Sequence, residues 1–275
     1  MTQSVKSMGT IHTEESDSNL TALTIQLAGR VMIESPYTVL NERLLYGSQA
    51  RLVFAMLVLE RDRPVLREEL AAVLWPDGLP RTWGAALRGV VSKVRAFLTV
   101  AGMPESVPSY DGFGAYQLHL PADVVVDLES AGFAVETAEQ MLREGNHASA
   151  ITLAEYARSV AVRPFLPDAK GCWIDSVRDR LREVHLWALC VLGEGHTEWG
   201  RPQLAVQAAE QAIVLEPFRE RTHQLLMRAH AAAGNPAEAL RVYDRCRRLL
   251  ADELGVHPAA ETAALHLTLL RNEPT

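Results

Sequence analysis

Four cations in one acid-free stretch carry the clearest chemical signal in this 275-residue sequence. No acidic residue occurs between Asp77 and Glu105, and Arg81, Arg88, Lys93 and Arg95 lie inside that interval. Arginine presents a planar fork that fits a phosphate or the O6/N7 edge of guanine, whereas lysine offers a point charge suited to phosphate. At about 100° per residue on a helix, Arg81, Arg88 and Arg95 share one face with Ser92, Gly84 and Ala85. Leu87, Val91, Val94 and Leu98 form a compact apolar stripe away from it. Small residues between cations let a helix approach a surface closely. Arg81, Thr82, Arg88, Ser92, Lys93 and Arg95 are therefore the candidate DNA-contacting set. An ordinary amphipathic helix with a solvated basic face has the same spacing.

Other chemistries find little support. The nine histidines include no HExxH pattern and no close His/Cys cluster, so no metal site is expected. No P-loop or GxSxG appears, and Glu14-Glu15 and Glu68-Glu69 are adjacent charges best read as solvated. No enzymatic activity and no cofactor are expected. His185, His223 and His230 fall in helical segments as surface or packing residues, and Trp173, Trp187 and Trp199 at helical spacing read as core. Cys172, Cys190 and Cys246 are odd in number and far apart, which excludes a disulfide framework and fits a reducing cytoplasm. No run approaches the roughly 20 apolar residues of a membrane span. Residues 1–20 lack the apolar segment of a signal peptide and read as a disordered tail.

Composition leaves room for real cores: 48% of residues are hydrophobic and 22% charged. The net charge of −7 speaks against a nucleic-acid partner only if charge is spread evenly, and it is not. Residues 1–125 carry −2 of it and the remainder −5.

The elements around the basic face follow from changes of period. Residues 23–34 alternate around Gly29-Arg30, as in a short hairpin, and a third strand covers Tyr37 to Leu40. Ser48 to Leu59 is apolar on most sides of a helix, Leu66 to Trp75 is a second helix stopped by Pro76-Asp77-Gly78, and Thr82 to Val100 is a third. Residues 110–120 give a Gly-rich turn and a strand. Strands, three helices and a hairpin in this order form a winged helix-turn-helix, whose third helix enters the major groove.

Pro121 and Asp123 mark a boundary, so residues 1–125 should fold alone. The later half repeats. Gly145, Gly200 and Gly234 are each followed by Ala five places on, at Ala150, Ala205 and Ala239, and offset nine holds Ala154, Ala209 and Tyr243. The last two glycines lie 34 positions apart, the tetratricopeptide period. The longer first interval leaves room for an additional helix around Trp173 to Leu192, and Pro258 to Leu270 forms a terminal cap. The fold expected is mainly α: an N-terminal α+β winged helix at 21–122, then an all-α tetratricopeptide-like body at 126–272.

These residues carry a family pattern. Leu70, Leu74-Trp75, Pro80, Leu87, Val91-Ser92, Val94-Arg95 and Leu98 resemble the OmpR-like winged helix of the Streptomyces antibiotic regulatory proteins (SARPs). Leu215-Glu216-Pro217, Arg219-Glu220-Arg221, Leu226-Met227, Gly234, Ala239-Leu240, Tyr243 and Asp252-Glu253-Leu254-Gly255-Val256 with Pro258 resemble the bacterial transcriptional activator domain that accompanies it. The resemblance implies a cytoplasmic transcription activator, in the short form of the family. Its partners would be double-stranded promoter DNA, RNA polymerase through its sigma factor and core subunits, and a second copy of the chain, with no membrane. The alternative is a protein-interaction scaffold or anti-activator whose winged helix no longer binds DNA. Departures from the pattern at Leu66, Arg88, Val90 and Ser109-Tyr110-Asp111 all touch the expected DNA side.

Overall fold

A computed structural model of the chain describes residues 23–35, 38–106, 109–110 and 114–271. The expected tail at 1–20, Tyr37 and the turn residues 111–113 lie outside the described residues.

The alternating N-terminal segment pairs as its pattern requires. β1 (Thr24–Gln26) and β2 (Met32–Ser35) form an antiparallel hairpin with Ile25 opposite Ile33, and Gly29 takes φ 81° in the connection. β3 (Thr38–Asn41) extends the sheet on β2. α1 (Ser48–Leu59) follows, and every residue from Leu52 to Val58 is buried, which explains its apolar character on all sides. β4 (Val65–Leu66) leads into α2 (Arg67–Leu74) and α3 (Trp83–Val100). β5 (Ser109–Tyr110) and β6 (Ala115–Gln117) join β4 in a second, antiparallel sheet of order β4-β6-β5. This is a winged helix-turn-helix. Phe54 of α1 and Phe97 of α3 meet edge to face at 5.5 Å, a pair worth about 0.5–1.5 kcal/mol beyond its burial.

Leu66 stands at the N-cap of α2 and its side chain cannot accept a hydrogen bond. Glu69 compensates in part, since its Oε1 accepts the Leu66 N–H at 3.3 Å. Glu68 and Glu69 also place negative charge where the helix dipole favours it.

The second half is a stack of helical hairpins. α4 (Asp127–Arg143) pairs with α5 (His147–Ala161), α6 (Cys172–Glu198) with α7 (Pro202–Leu215), and α8 (Glu220–Ala232) with α9 (Pro236–Leu254). Each first helix ends on a glycine with φ between 71° and 78°. At all three ends the same two bonds close the turn: Gly145 N to Leu142 O with Asn146 N to Met141 O, Gly200 N to Thr197 O with Arg201 N to His196 O, and Gly234 N to Ala231 O with Asn235 N to His230 O. This is the Schellman pattern, which needs the left-handed conformation glycine adopts at no steric cost. Ala150, Ala154, Ala205, Ala209 and Ala239 are all fully buried, as close helix contact demands. α10 (Ala260–Leu270) caps the stack, and His266 stacks on Tyr243 at 3.9 Å.

Two expectations need correcting here. A helix does cover Trp173 to Leu192 as expected, but the extra length between Gly145 and Gly200 adds no further element to the repeat. It lengthens the first member of the second hairpin, so that α6 runs unbroken for 27 residues. Its first part puts Ile174, Val177 and Leu181 into the winged-helix core, and its later part puts Leu186, Leu189 and Leu192 into the repeat core. Nor do residues 1–125 enclose a core of their own. Val126, Phe165 and Leu166 belong to it too. β7 (Val125–Val126) adds in parallel to β1, and Asp127 accepts the backbone N–H of Leu27 and Ala28 at 2.8 and 3.1 Å. Gly29 donates to Pro164 O, Trp173 Nε1 donates to Glu60 at 3.0 Å, and Arg61 binds Glu129. The physical reason is that β1 has an open edge and a short sheet needs a cover, and the later chain supplies both. Trp199 corrects a smaller expectation: it is 41% exposed, with Arg201 lying 3.8 Å over its ring.

Candidate nucleic-acid interface

α3 is held by its buried side, and that side is wider than spacing alone indicates. Besides Leu87, Val91, Val94 and Leu98, the core takes Val90 and Phe97. Val90 therefore packs inside and does not touch the outer face, as its departure from the family pattern had suggested. The buried arc then covers about 120° of the helix, and the open arc runs from Arg88 through Ser92, Gly89 and Ala96 to Lys93 and Ala86. Compared with the face expected, the open surface is turned by about 60° toward Lys93.

Arg88, Ser92 and Lys93 are exposed and come together on this surface, with Ala85, Gly89 and Ala96 forming a smooth strip between the cations. The Lys93 ammonium donates to the Tyr46 carbonyl at 3.1 Å, which draws it toward the entry of α1. Arg95 is half-buried at the edge of the strip. Arg81 and Thr82 are exposed but precede the helix in a turn closed by Trp83 N to Pro80 O, so helical angles do not apply to Arg81. Thr82 occupies the N-cap without a side-chain capping bond.

Electrostatics separate these cations from their neighbours. Arg51, Arg61, Arg63 and Arg67 each pair with a carboxylate. Arg81 and Arg88 form no ion pair with a described residue. A guanidinium with no carboxylate of its own is available to a phosphate without first breaking a bond.

Spacing missed the flank of this surface. Arg88 and Arg95 border a pocket of about 330 Å³ together with Arg67, Trp83 and Tyr116, over a floor of Leu87 and Val91. The Arg67 guanidinium lies 5.5 Å over the Trp83 ring, a cation–π contact that orients it toward the pocket. These residues come from α2, α3 and β6, so no reading of a single helix could group them. A basic residue directly before Glu68-Glu69 was the one available signal.

A second concavity lies between the first helices of the hairpins. α4, α6 and α8 border a groove of about 1090 Å³ with Leu186, Trp187 and Cys190 on its apolar side. Arg219 binds both oxygens of Glu183 at 3.1 and 3.2 Å, and Arg221 binds Glu194 at 3.2 Å. Burial pushes the Cys190 thiol up to about 11, so it packs as a thiol and is not a nucleophile. Among the described residues no three His, Cys, Asp or Glu side chains stand together to hold a metal, and no helix is long and apolar enough to cross a membrane.

Comparison with known proteins places the later half first. The model of the family described as "Bacterial transcriptional activator domain" matches residues 126–270. Regulatory protein AfsR of Streptomyces coelicolor is 32% identical over 235 residues, covering 85% of this chain and 23% of AfsR. Transcriptional regulatory protein EmbR of Mycobacterium tuberculosis is 29% identical over 231 residues, covering 82% of this chain and 58% of EmbR. The chain thus spans about a quarter and about three-fifths of these two relatives. The solved structure of EmbR in complex with a low-affinity phosphopeptide superposes with a TM-score of 0.80 at 25% identity, over 92% of this chain and 66% of that one.

Proposed function

The chain belongs to the bacterial transcriptional activator domain family, in the SARP arrangement, and from that premise we propose that it is a transcription regulator that binds promoter DNA. Residues 21–122 act as the DNA-binding part and 126–272 as the activating part. The observation that carries this reading is the open face of α3, an acid-free strip of small residues edged by Arg88 and Lys93. Arg88 and Ser92 read or brace the major groove, Lys93 and Arg95 hold backbone phosphates, and Arg81 and Thr82 meet the phosphates at the helix entry. The groove of α4, α6 and α8 meets RNA polymerase, through its sigma factor or a core subunit, and a second copy of the chain binds alongside on paired half-sites.

Gel shifts on promoter fragments recovered by immunoprecipitation of the tagged protein test the DNA contact. Arg88→Ala should cost about 1–3 kcal/mol if Arg88 reads a base. Log affinity should fall against log salt with a slope for about three to six phosphates per protomer, at about −0.9 each. A slope near zero, with Arg88→Ala binding as the parent does, would overturn the reading in favour of a scaffold that does not bind DNA.

A further inference from the structure

We propose that the junction of the two halves is a binding site for a small apolar monocarboxylate. A cavity of about 220 Å³ opens there, walled by Leu59 of α1, Leu128 of α4 and Val177, Leu181 and Val184 of α6. An apolar cavity of about 150 Å³ takes a benzene molecule, so this one holds a single ring or a short branched chain with one polar substituent.

Two further features point to an occupant. The first is Gly132, in the middle of α4. Glycine inside a helix is destabilising relative to alanine, so its presence asks for a reason. Close packing is not that reason, because a Cβ built on Gly132 meets no atom within 4 Å. Gly193 is the contrast: its Cβ would lie 2.7 Å from Leu225 Cδ2. Gly132 leaves open a wall that any side chain would fill.

The second feature is charge. Glu129 and Arg180 stand at the rim. Glu129 is already neutralised by Arg61, whose Nη2 donates to it at 2.8 Å. Arg180 is exposed and forms no hydrogen bond or ion pair with a described residue. With Glu129 engaged by Arg61, Arg180 is the one charged side chain of the lining without an ion-pair partner among the described residues, at the edge of an apolar interior. A single carboxylate on an apolar body is the complement, with Arg180 as its bidentate partner.

The walls come from both halves, so an occupant ties α1 to α4 and α6. An effect on DNA affinity rests on the function proposed above, whereas binding itself does not, and the two are measured apart. Methyl NMR and calorimetry on the full chain, titrated with 4-methylbenzoate and hexanoate and with toluene as the neutral control, test the site. Saturable shifts are expected at the methyls of Leu59, Val177, Leu181 and Val184. Arg180→Gln should weaken carboxylate binding about tenfold or more and leave toluene unaffected. Gly132→Leu should abolish both while keeping the parent's helix content and melting temperature. The proposal is overturned if neither carboxylate gives saturable shifts by about 10 mM, if toluene binds as tightly, or if Arg180→Gln binds as the parent does. Gel shifts run in parallel separate the outcomes: lost DNA binding with intact carboxylate binding overturns only the functional reading.

Discussion

Replacing Asp127 by alanine asks whether the winged helix and the repeat body fold as one unit. Asp127 is 5% exposed, and its carboxylate accepts Leu27 N at 2.8 Å, Ala28 N at 3.1 Å and Leu128 N at 3.0 Å. Alanine leaves the Leu27 and Ala28 donors facing the interior without a partner. Each such donor costs about 1–3 kcal/mol, or about 2–6 for the pair. Part is recovered, because burial disfavours the charged carboxylate and pushes its pKa above the usual carboxylate value, against the pull of the three amides and Arg163. The net loss expected is about 2–4 kcal/mol. Asp127→Asn keeps one acceptor but turns an NH2 toward the second donor, so it should lose about half as much. Urea unfolding read by circular dichroism and tryptophan fluorescence should show one shared transition, moved to lower urea with an unchanged slope. The pH dependence has a definite sign. An unfolded aspartate gives up its proton near 3.8, before the folded one does, so the parent's stability from this group falls as pH rises from there toward the raised value. That component should vanish in Asp127→Ala. Unfolding within about 1 kcal/mol of the parent would falsify the argument, since no buried donor would then have been orphaned.

Four further outcomes follow from the same contacts. Residues 1–125 expressed alone should give a collapsed, poorly dispersed NMR spectrum, because Phe165, Leu166, Ile174, Val177 and Leu181 are missing from the core; a sharp native-like spectrum contradicts this. Gly193→Ala should lose about 1–3 kcal/mol through the Leu225 contact, whereas Gly132→Ala should gain about 0.5–1, and thermal melts giving both the same sign refute the packing argument. Desolvation lowers the pKa of His185, His196 and His223 below 6.5, so the unfolded chain binds protons first as pH falls and melting temperature should drop below about pH 6.5; a flat profile from pH 7.5 to 5 counts against it. Since α6 is built into both cores, activation should depend on the face of the duplex: shifting the operator by about 5 base pairs should abolish transcription in a reconstituted assay and about 10 should restore part of it, whereas equal activity at both spacings denies a rigid link.

Local signals were legible wherever one residue type answers one backbone demand. The three glycines ending α4, α6 and α8 mark left-handed turns, and the alanines after them mark helix contacts, so the hairpin stack could be read from spacing. The limits of α1, α2 and α3 were legible for the same reason, with Pro76-Asp77-Gly78 and Gly102 as stops. What spacing cannot say is how many sides of a helix its neighbours cover. Val90, expected on the DNA side, and Phe97, outside the four-residue stripe, are both buried, and the open face turns with them.

The same limit explains the missed link between the halves. Ile174, Val177 and Leu181 follow helical spacing, as do Leu186, Leu189 and Leu192, and nothing in that period says that the two sets face different cores. The signal lay in length. At about 1.5 Å per residue, the 27 residues of α6 reach about 40 Å, farther than one hairpin layer of 14 or 15 residues such as α5 or α7 needs. A helix longer than its repeat must end inside something else. Here that is the winged-helix core, and α6 fixes the distance from the basic face of α3 to the groove of α4, α6 and α8. A tether at residues 121–126 would let the two surfaces act independently. One continuous helix makes their relative placement a property of the fold, so a change at the junction is felt at both.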